Sequence, residues 1–330
     1  MFNSGRTLIE HAMLAVILMS LLLAVPCPIP QASSVKVAVS IPSLALIASE
    51  VGGERVSVYT LLPEGAEPHS FQLTPRVLSR ALEADIVMIT GPGHCPFEDE
   101  LHESLSEEVS FLTLEDYGRH GCRLREFPGV GLNIHGYWLD PENAVAVAEA
   151  LCERLCKLDP EGEAYYRERL GEFSERVLNL SSAKPLEGLR AIVSKPVEAY
   201  LCRALGVEVV GTLSTGSSQL GVGEMWRLYD EAGRDVDLIV VSDESERSRV
   251  GEFARQLSRD TGVPVLRLRI LSGDFRGYTD MLEWNISHSD EFTAEPGTPV
   301  RSLLVSLAVA SASTAVSLAV SVRRGKFGGG

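Results

Sequence analysis

The chain has 330 residues, 45 of them acidic and 30 basic, for a formal net charge of −15. That length is enough for two domains of ordinary size, and the acidic excess, with no basic face, argues against binding a nucleic-acid backbone. Attraction of cations is compatible with such a surface, although acidic soluble proteins are common.

Arg6 precedes an uncharged run over residues 12–25, about 21 Å long as a helix, which suits the apolar part of a secretory signal and is short for a bilayer. Residues 1–34 are therefore expected to be a signal peptide cut between Cys27 and Ser34; Cys27 can also be read as a lipid-attachment cysteine, with Pro26 a poor residue before it. From Val35 short apolar runs alternate with amphipathic stretches. The pattern predicts strands over 35–41, 56–62, 85–90 and 109–114, a helix over 42–51 ended by Gly52-Gly53, and a short helix from Thr74-Pro75.

Asp140 followed by Pro141 is a helix start, because the Asp side chain accepts orphan first-turn N–H groups and Pro at the first position loses no bond. Ala144, Ala148, Leu151, Leu155 and Leu158 form one apolar stripe. Asp159-Pro160 restarts the pattern, and Tyr166, Leu170, Phe173, Val177 and Leu180 form a second. The β/α rhythm then returns, with strands predicted over 190–194, 207–213, 236–242 and 263–269 and helices over 197–205, 223–232 and 247–261. Such alternation implies an α/β fold: two Rossmann-like lobes with parallel sheets, joined by one long linking helix. Ligands of open α/β sheets sit beyond the carboxyl ends of the strands, so the lobes would enclose a cleft.

The division expected is 35–160 for the first lobe, 161–183 for the linking helix, 184–290 for the second lobe and 291–301 for a stalk containing Glu295-Pro-Gly-Thr-Pro299. Residues 302–322 carry no charge over about 31 Å, the length of a transmembrane helix. Arg323, Arg324 and Lys326 follow, so 323–330 reads as a cytoplasmic tail and the lobes as extracellular, anchored in the cell membrane by the C-terminal helix. The alternative for 302–322 is a buried Ser/Ala-rich helix. Of the cysteines beyond Cys27, Cys152 and Cys156 lie four apart on one helix and read as small buried hydrophobes, and Cys95 with Cys122 is the one pair considered for a bridge.

Two histidines fall in loops that face the expected cleft. His69 follows the second strand in Pro63-Glu-Gly-Ala-Glu-Pro-His69-Ser-Phe71, with Thr74-Pro75 beyond it, and His135 opens His135-Gly-Tyr-Trp-Leu-Asp140-Pro-Glu-Asn143. These segments resemble the two histidine motifs of the zinc- and manganese-type substrate-binding receptors of ABC importers. Glu50-Val-Gly-Gly-Glu-Arg-Val56, Leu158-Asp-Pro-Glu161, Thr261-Gly-Val-Pro-Val265 and Tyr278-Thr-Asp-Met-Leu-Glu-Trp-Asn285 resemble further landmarks of that family in the same order, so that the likeness spans roughly residues 35–288. It implies a receptor, not an enzyme, that captures Zn²⁺ or Mn²⁺ as transported ligand between two lobes and delivers it to an ABC transporter permease. It also implies two His ligands from the first lobe and two further ligands from the second.

The second lobe departs from that pattern, because the third ligand falls on Lys195 and the fourth near Arg269. An ammonium about 4 Å from a divalent cation is repelled by roughly 8 kcal/mol at an effective dielectric of about 20. Three arrangements stay open. The two cations turn outward and Asp243, Glu198, Asp274 or water completes the shell, Asp243 standing at the carboxyl end of strand 236–242. Alternatively Lys195 and Arg269 contact an anionic or non-metal solute, or the cleft is vestigial in an adhesion protein. The metal set expected is His69, His135 and Asp243. His94 and Cys95, in Gly91-Pro-Gly-His-Cys95, can be read as soft ligands near the end of the third strand, but a turn is the favoured reading, and the 118–131 segment holds only His120 where zinc-type members often carry a histidine-rich loop. Asn179-Leu-Ser and Asn285-Ile-Ser fit the glycosylation pattern but read as helical. No helical His pair or nucleophile turn supports a hydrolytic metalloenzyme.

Overall fold

The computed structural model describes residues 34–63, 66–105, 109–214, 222–271, 273 and 275–293. The expected signal peptide, most of the stalk, the 302–322 segment, the basic tail and Asp274 lie outside the described residues.

The first lobe is a parallel sheet in the order β2-β1-β3-β4, made of β1 (Val35–Val39), β2 (Val56–Thr60), β3 (Ile86–Met88) and β4 (Ser110–Leu112). Its helices are α1 (Pro42–Gly52), α2 (Pro75–Leu82), α3 (Pro96–Leu105) and α4 (Leu114–Arg119). Val37, Val39, Ile86 and Met88 are fully buried, which is why β3 reads as an unbroken apolar run and β1 as one broken only by the exposed Lys36. Thr74 caps α2 by accepting the Val77 N–H, with Pro75 at the first position. A hairpin of β5 (Arg125–Phe127) and β6 (Gly131–Asn133) occupies the stretch expected to be a plain loop.

Asp140 caps α5 (Pro141–Leu158), as its sequence predicts. After a short turn comes α6 (Glu163–Ser181), 19 residues or about 28 Å long. It buries only Tyr166, Phe173 and Val177.

The second sheet runs β11-β10-β9-β7-β8, from β7 (Arg190–Val193), β8 (Glu208–Thr212), β9 (Leu238–Ser242), β10 (Val265–Leu268) and β11 (Phe292–Thr293). All its pairs are parallel except the β10–β11 edge. Its helices are α7 (Ala199–Ala204), α8 (Val222–Arg234), α9 (Arg249–Thr261) and α10 (Tyr278–Ser287).

The lobes are bonded to each other directly. Asn133 Nδ2 donates to the Pro196 carbonyl at 2.8 Å, and Tyr200 Oη to the Asn133 carbonyl at 2.7 Å. The fully buried Asp140 carboxylate receives Arg125 at 3.2 Å from its own lobe and Arg203 at 2.8 Å from the other. On the far side Tyr278 Oη donates to the Leu139 carbonyl at 2.8 Å, and Thr279 donates from its backbone N–H and its hydroxyl to Glu50. From α6, Arg169 donates to the Glu50 carbonyl, and Arg176 pairs with Asp280 and Glu283.

Several expectations change here. Cys95 and Cys122 do not bridge: both are free, buried thiols, as are Cys152 and Cys202, with Cys156 half-buried and also free. Asn179 and Asn285 both lie within helices, and the Asn285 amide is consumed by the backbone of Arg269 and Met281. Among the described residues no helix is long and apolar enough to cross a membrane.

Candidate metal centre

In each sheet the chain leaves the first strand in one direction and later returns to its other side. The switch points are β1/β3 and β7/β9, and in open α/β sheets ligands sit at the strand ends there. In the first lobe the loop after β2 carries His69 and the turn after β3 carries His94. His135 arrives from the loop after β6.

The three imidazoles converge. Ring centroids are 5.3 Å apart for His69–His94, 5.3 Å for His69–His135 and 5.1 Å for His94–His135. One nitrogen of each ring lies within 4.8 Å of the others. His69 is exposed, His135 half-buried and His94 buried, so the cluster spans from solvent to core.

Hydrogen bonds fix which nitrogen faces the centre. His69 Nδ1 is 3.0 Å from the His94 carbonyl oxygen, which only accepts, so Nδ1 carries the proton and Nε2 keeps its lone pair. The Thr90 hydroxyl donates to Glu98 Oε2 at 2.6 Å and therefore accepts from His94 Nδ1 at 2.8 Å. His94 Nε2 is left unprotonated in the same way. The Cys95 sulfur, 3.0 Å from the same Nδ1, is a thiol whose pKa burial pushes up. Glu98 is itself held by the N–H groups of Thr90 and Gly91. Burial raises its pKa and those hydrogen bonds oppose the rise. Although His94, Cys95 and Glu98 also lie within ligand distance of one another, this carboxylate is committed to supporting His94.

Burial, then the neighbouring His135 and His69, lower the His94 pKa to about 3. Burial and His69 lower that of His135, opposed by the charge of Glu244. Both rings are neutral at pH 7, the state that coordinates a metal.

The second lobe meets this cluster through a close backbone approach. Gly136, at φ +76°, has room for no side chain, since a Cβ there would lie 2.5 Å from the Val197 carbonyl. The loop holding His135 is thus seated on the turn that begins at Lys195. Lys195 Nζ pairs with Glu244 Oε1 at 2.9 Å, which joins the second residue beyond β7 to the second beyond β9. Arg269 lies elsewhere, its guanidinium 5.1 Å from the ring centres of both Phe275 and Trp284.

His69 and His135 are brought together, but Asp243 does not join them. Its carboxylate accepts from the backbone N–H groups of Ile270 at 3.0 Å and Leu271 at 3.3 Å, and so ties the end of β9 to the loop after β10. Burial raises its pKa against those bonds and Arg269. Glu198 is saturated: fully buried, it accepts from Ser194, Lys195 N–H, Ser242 and Ser245. His94, for which the sequence favours a turn over a soft ligand, is both a turn residue and a member of the cluster, and Glu244, whose charge acts on His135, is not singled out by the sequence. Their signal is position, since each follows a strand that borders a switch point.

A family model described as "Zinc-uptake complex component A periplasmic" (ZnuA) matches residues 37–290. The manganese-binding lipoprotein MntA of Halalkalibacterium halodurans is 25% identical over 266 residues, 76% of this chain and 86% of that protein. The iron-binding protein YfeA of Yersinia pestis is 26% identical over 257 residues, 75% and 81% of the two chains. Among solved structures, the crystal structure of ZnuA aligns with a TM-score of 0.62 at 21% identity, covering 76% of this chain and 96% of that one. The Streptococcus pneumoniae AdcAII protein aligns at 0.63 and 20%, covering 79% and 100%. These findings correct the expected location. The family is described as periplasmic and matched relatives are named lipoproteins, and no described helix can cross a membrane, so a C-terminally anchored cell-surface receptor is not supported; residues 302–322 lie outside the described residues. With its fold and the match over 37–290 together, the chain belongs to the periplasmic zinc-uptake component A family, the substrate-binding receptors of metal ABC importers.

Proposed function

We propose that this chain captures one divalent transition metal on His69, His94 and His135 and passes it to an ABC permease, with Glu244 closing the shell from the second lobe. The observation that carries the reading is the convergence of three imidazoles, two of them with Nδ1 already bonded and Nε2 free. Three imidazoles and one carboxylate make the tetrahedral shell that zinc favours, whereas manganese prefers more oxygen ligands. Zinc should therefore bind more tightly than manganese.

Lys195 fits this arrangement as the counter-ion of Glu244 rather than as an obstacle. A cleft for an anionic solute would need Lys195 and Arg269 to offer their charges to the ligand, but one is paired with Glu244 and the other lies against Phe275 and Trp284. The lobes are taken as 35–160 and 184–290, with α6 between them. Because three of the four ligands belong to the first lobe, withdrawal of the second lobe removes Glu244 and leaves a weaker three-nitrogen site.

Isothermal titration of the metal-free protein with Zn²⁺ and with Mn²⁺ tests this. One equivalent of zinc should bind, and His94→Ala should weaken it as severely as His69→Ala or His135→Ala. Unchanged zinc affinity in His94→Ala would remove that residue from the site, and no zinc binding by the intact protein would sink the whole reading.

A further inference from the structure

One buried side chain joins the loop of His135 to the second lobe. Asn133 ends β6, two residues before His135, and is wholly buried. Its Oδ1 accepts the His135 N–H at 2.9 Å, and its Nδ2 donates to the Pro196 carbonyl at 2.8 Å. The partners fix which end of the amide is which, because a backbone N–H only donates and a carbonyl only accepts. The first bond is an Asx turn, in which the side chain shapes the backbone two residues on. The second crosses between the lobes.

Asn133 is also held from behind. Its carbonyl accepts from Tyr200 Oη at 2.7 Å, and Tyr200 Oη accepts the N–H of Arg125, the residue facing Asn133 across the hairpin. Beyond the interlobe bond, Pro196 follows Lys195, which pairs with Glu244. A single amide thus stands between the backbone of a first-lobe histidine and the second-lobe turn that borders Glu244. There is no slack beside it, since the backbone of Gly136 already presses on the Val197 carbonyl. An amide that accepts at one end donates more strongly at the other, because hydrogen bonds in a chain polarise one another. Whatever holds the His135 N–H in place therefore tightens the bond to Pro196. A bond that merely glued the lobes together would be indifferent to the state of His135.

We propose that Asn133 is a positioning residue that couples metal capture at His135 to closure of the second lobe. The proposal rests on the reading of His135 as a ligand. With the ion bound, the His135 loop is fixed, the Asn133 amide stays aligned with the Pro196 carbonyl, and the turn carrying Lys195 is kept against the cleft with Glu244 beside it. Withdrawal of the second lobe breaks the Pro196 bond and loosens the loop from which the ion must leave. Asn133 acts on how long the ion stays rather than on how fast it enters.

The test uses the full chain and Zn²⁺. In Asn133→Ser the hydroxyl can still accept the His135 N–H, as Ser does in such turns, but is too short to reach Pro196. Zinc should leave this variant at least tenfold faster in a chelator chase, with its association rate changed less than twofold and the far-ultraviolet circular dichroism unchanged. Tyr200→Phe removes an equally buried bond between the lobes without touching the Asn133 side chain. It should lower the resistance to urea yet raise the zinc off-rate less than threefold. Hydrogen exchange followed by mass spectrometry adds a measurement on the unaltered chain: zinc should slow exchange over both 133–140 and 194–200, and in Asn133→Ser only the first slowing should remain. An unchanged zinc off-rate in Asn133→Ser, an equal acceleration in Tyr200→Phe, or no zinc-dependent slowing over 194–200 in the wild-type protein would overturn the coupling while leaving His135 a ligand. A wild-type protein that binds no zinc would overturn the ligand reading, and the coupling with it.

Discussion

His94 shows how burial and hydrogen bonding prepare one residue for its proposed role as a ligand. Its ring is buried against Trp138 at 5.2 Å, and a hydroxyl relay from Glu98 through Thr90 sets its tautomer. Thr90→Val keeps the shape but removes the relay, and should weaken zinc binding by about 10- to 100-fold, as measured by competition with a chromophoric chelator. Burial also makes His94 a pH element. Its folded pKa of about 3 lies below its unfolded value of about 6.5, so between these the unfolded chain binds the extra proton. Metal-free stability is then complete above pH 6.5 and falls as pH drops toward 3, by up to about 1.4 kcal/mol per pH unit from this group. Urea unfolding at a series of pH values should give a shallower slope for His94→Phe. Gly91-Pro-Gly-His-Cys95 allows both soft ligands and an ordinary turn, and the choice depends on its place at the β1/β3 switch point, which the sequence does not show. Lys195 posed the reverse problem: its partner Glu244 is 49 residues away, and only folding brings the two strand ends side by side.

At the scale of elements, legibility followed burial. The largely apolar strands β1, β3 and β9 and the capped starts of α2 and α5 stand out because burial and capping each leave a local signature. The β5–β6 hairpin does not. Its strands, Arg125-Glu-Phe127 and Gly131-Leu-Asn133, are three residues each, and Leu132 is 58% exposed, so no alternation marks them. Asp140 is the most demanding cap, because it joins the start of α5 to arginines of both lobes. Burial raises its pKa while Arg203 and Arg125 hold it down. Asp140→Ala should cost about 3 kcal/mol, more than the ~1 kcal/mol of an ordinary cap, since it also strands two part-buried guanidinium groups. Asp140→Asn, which keeps a capping oxygen, should cost less; chemical denaturation of both variants checks the order.

For the whole molecule, metal binding and stability are linked. A ligand that binds only the folded state at about 1,000 times its Kd adds about 4 kcal/mol, which for a domain of this size corresponds to a rise in Tm on the order of 10 °C. Differential scanning calorimetry with and without Zn²⁺ should show that rise, and His94→Ala should lose most of it. Two parallel sheets around one long helix were legible in the sequence because periodicity changes from strand to helix and back along the whole chain. The proposed division of ligands between lobes was not, since it depends on which loop ends meet across the cleft.

The long helix α6 has a mechanical consequence. It hides few side chains, yet it is fastened along its length, by Arg169 to the Glu50 carbonyl and by Arg176 to Asp280 and Glu283. Gly277 presses so closely on Glu50 that a Cβ there would meet its carboxylate at 2.5 Å. A beam clamped in this way resists bending at its middle, so a pull from the transporter is carried to the opposite rim. There the yielding parts are the few bonds around Asn133, Pro196 and Tyr200. In the proposed function, unloading would then be a matter of lifting one lip of the cleft by a small stroke, with the Lys195–Glu244 pair at that lip.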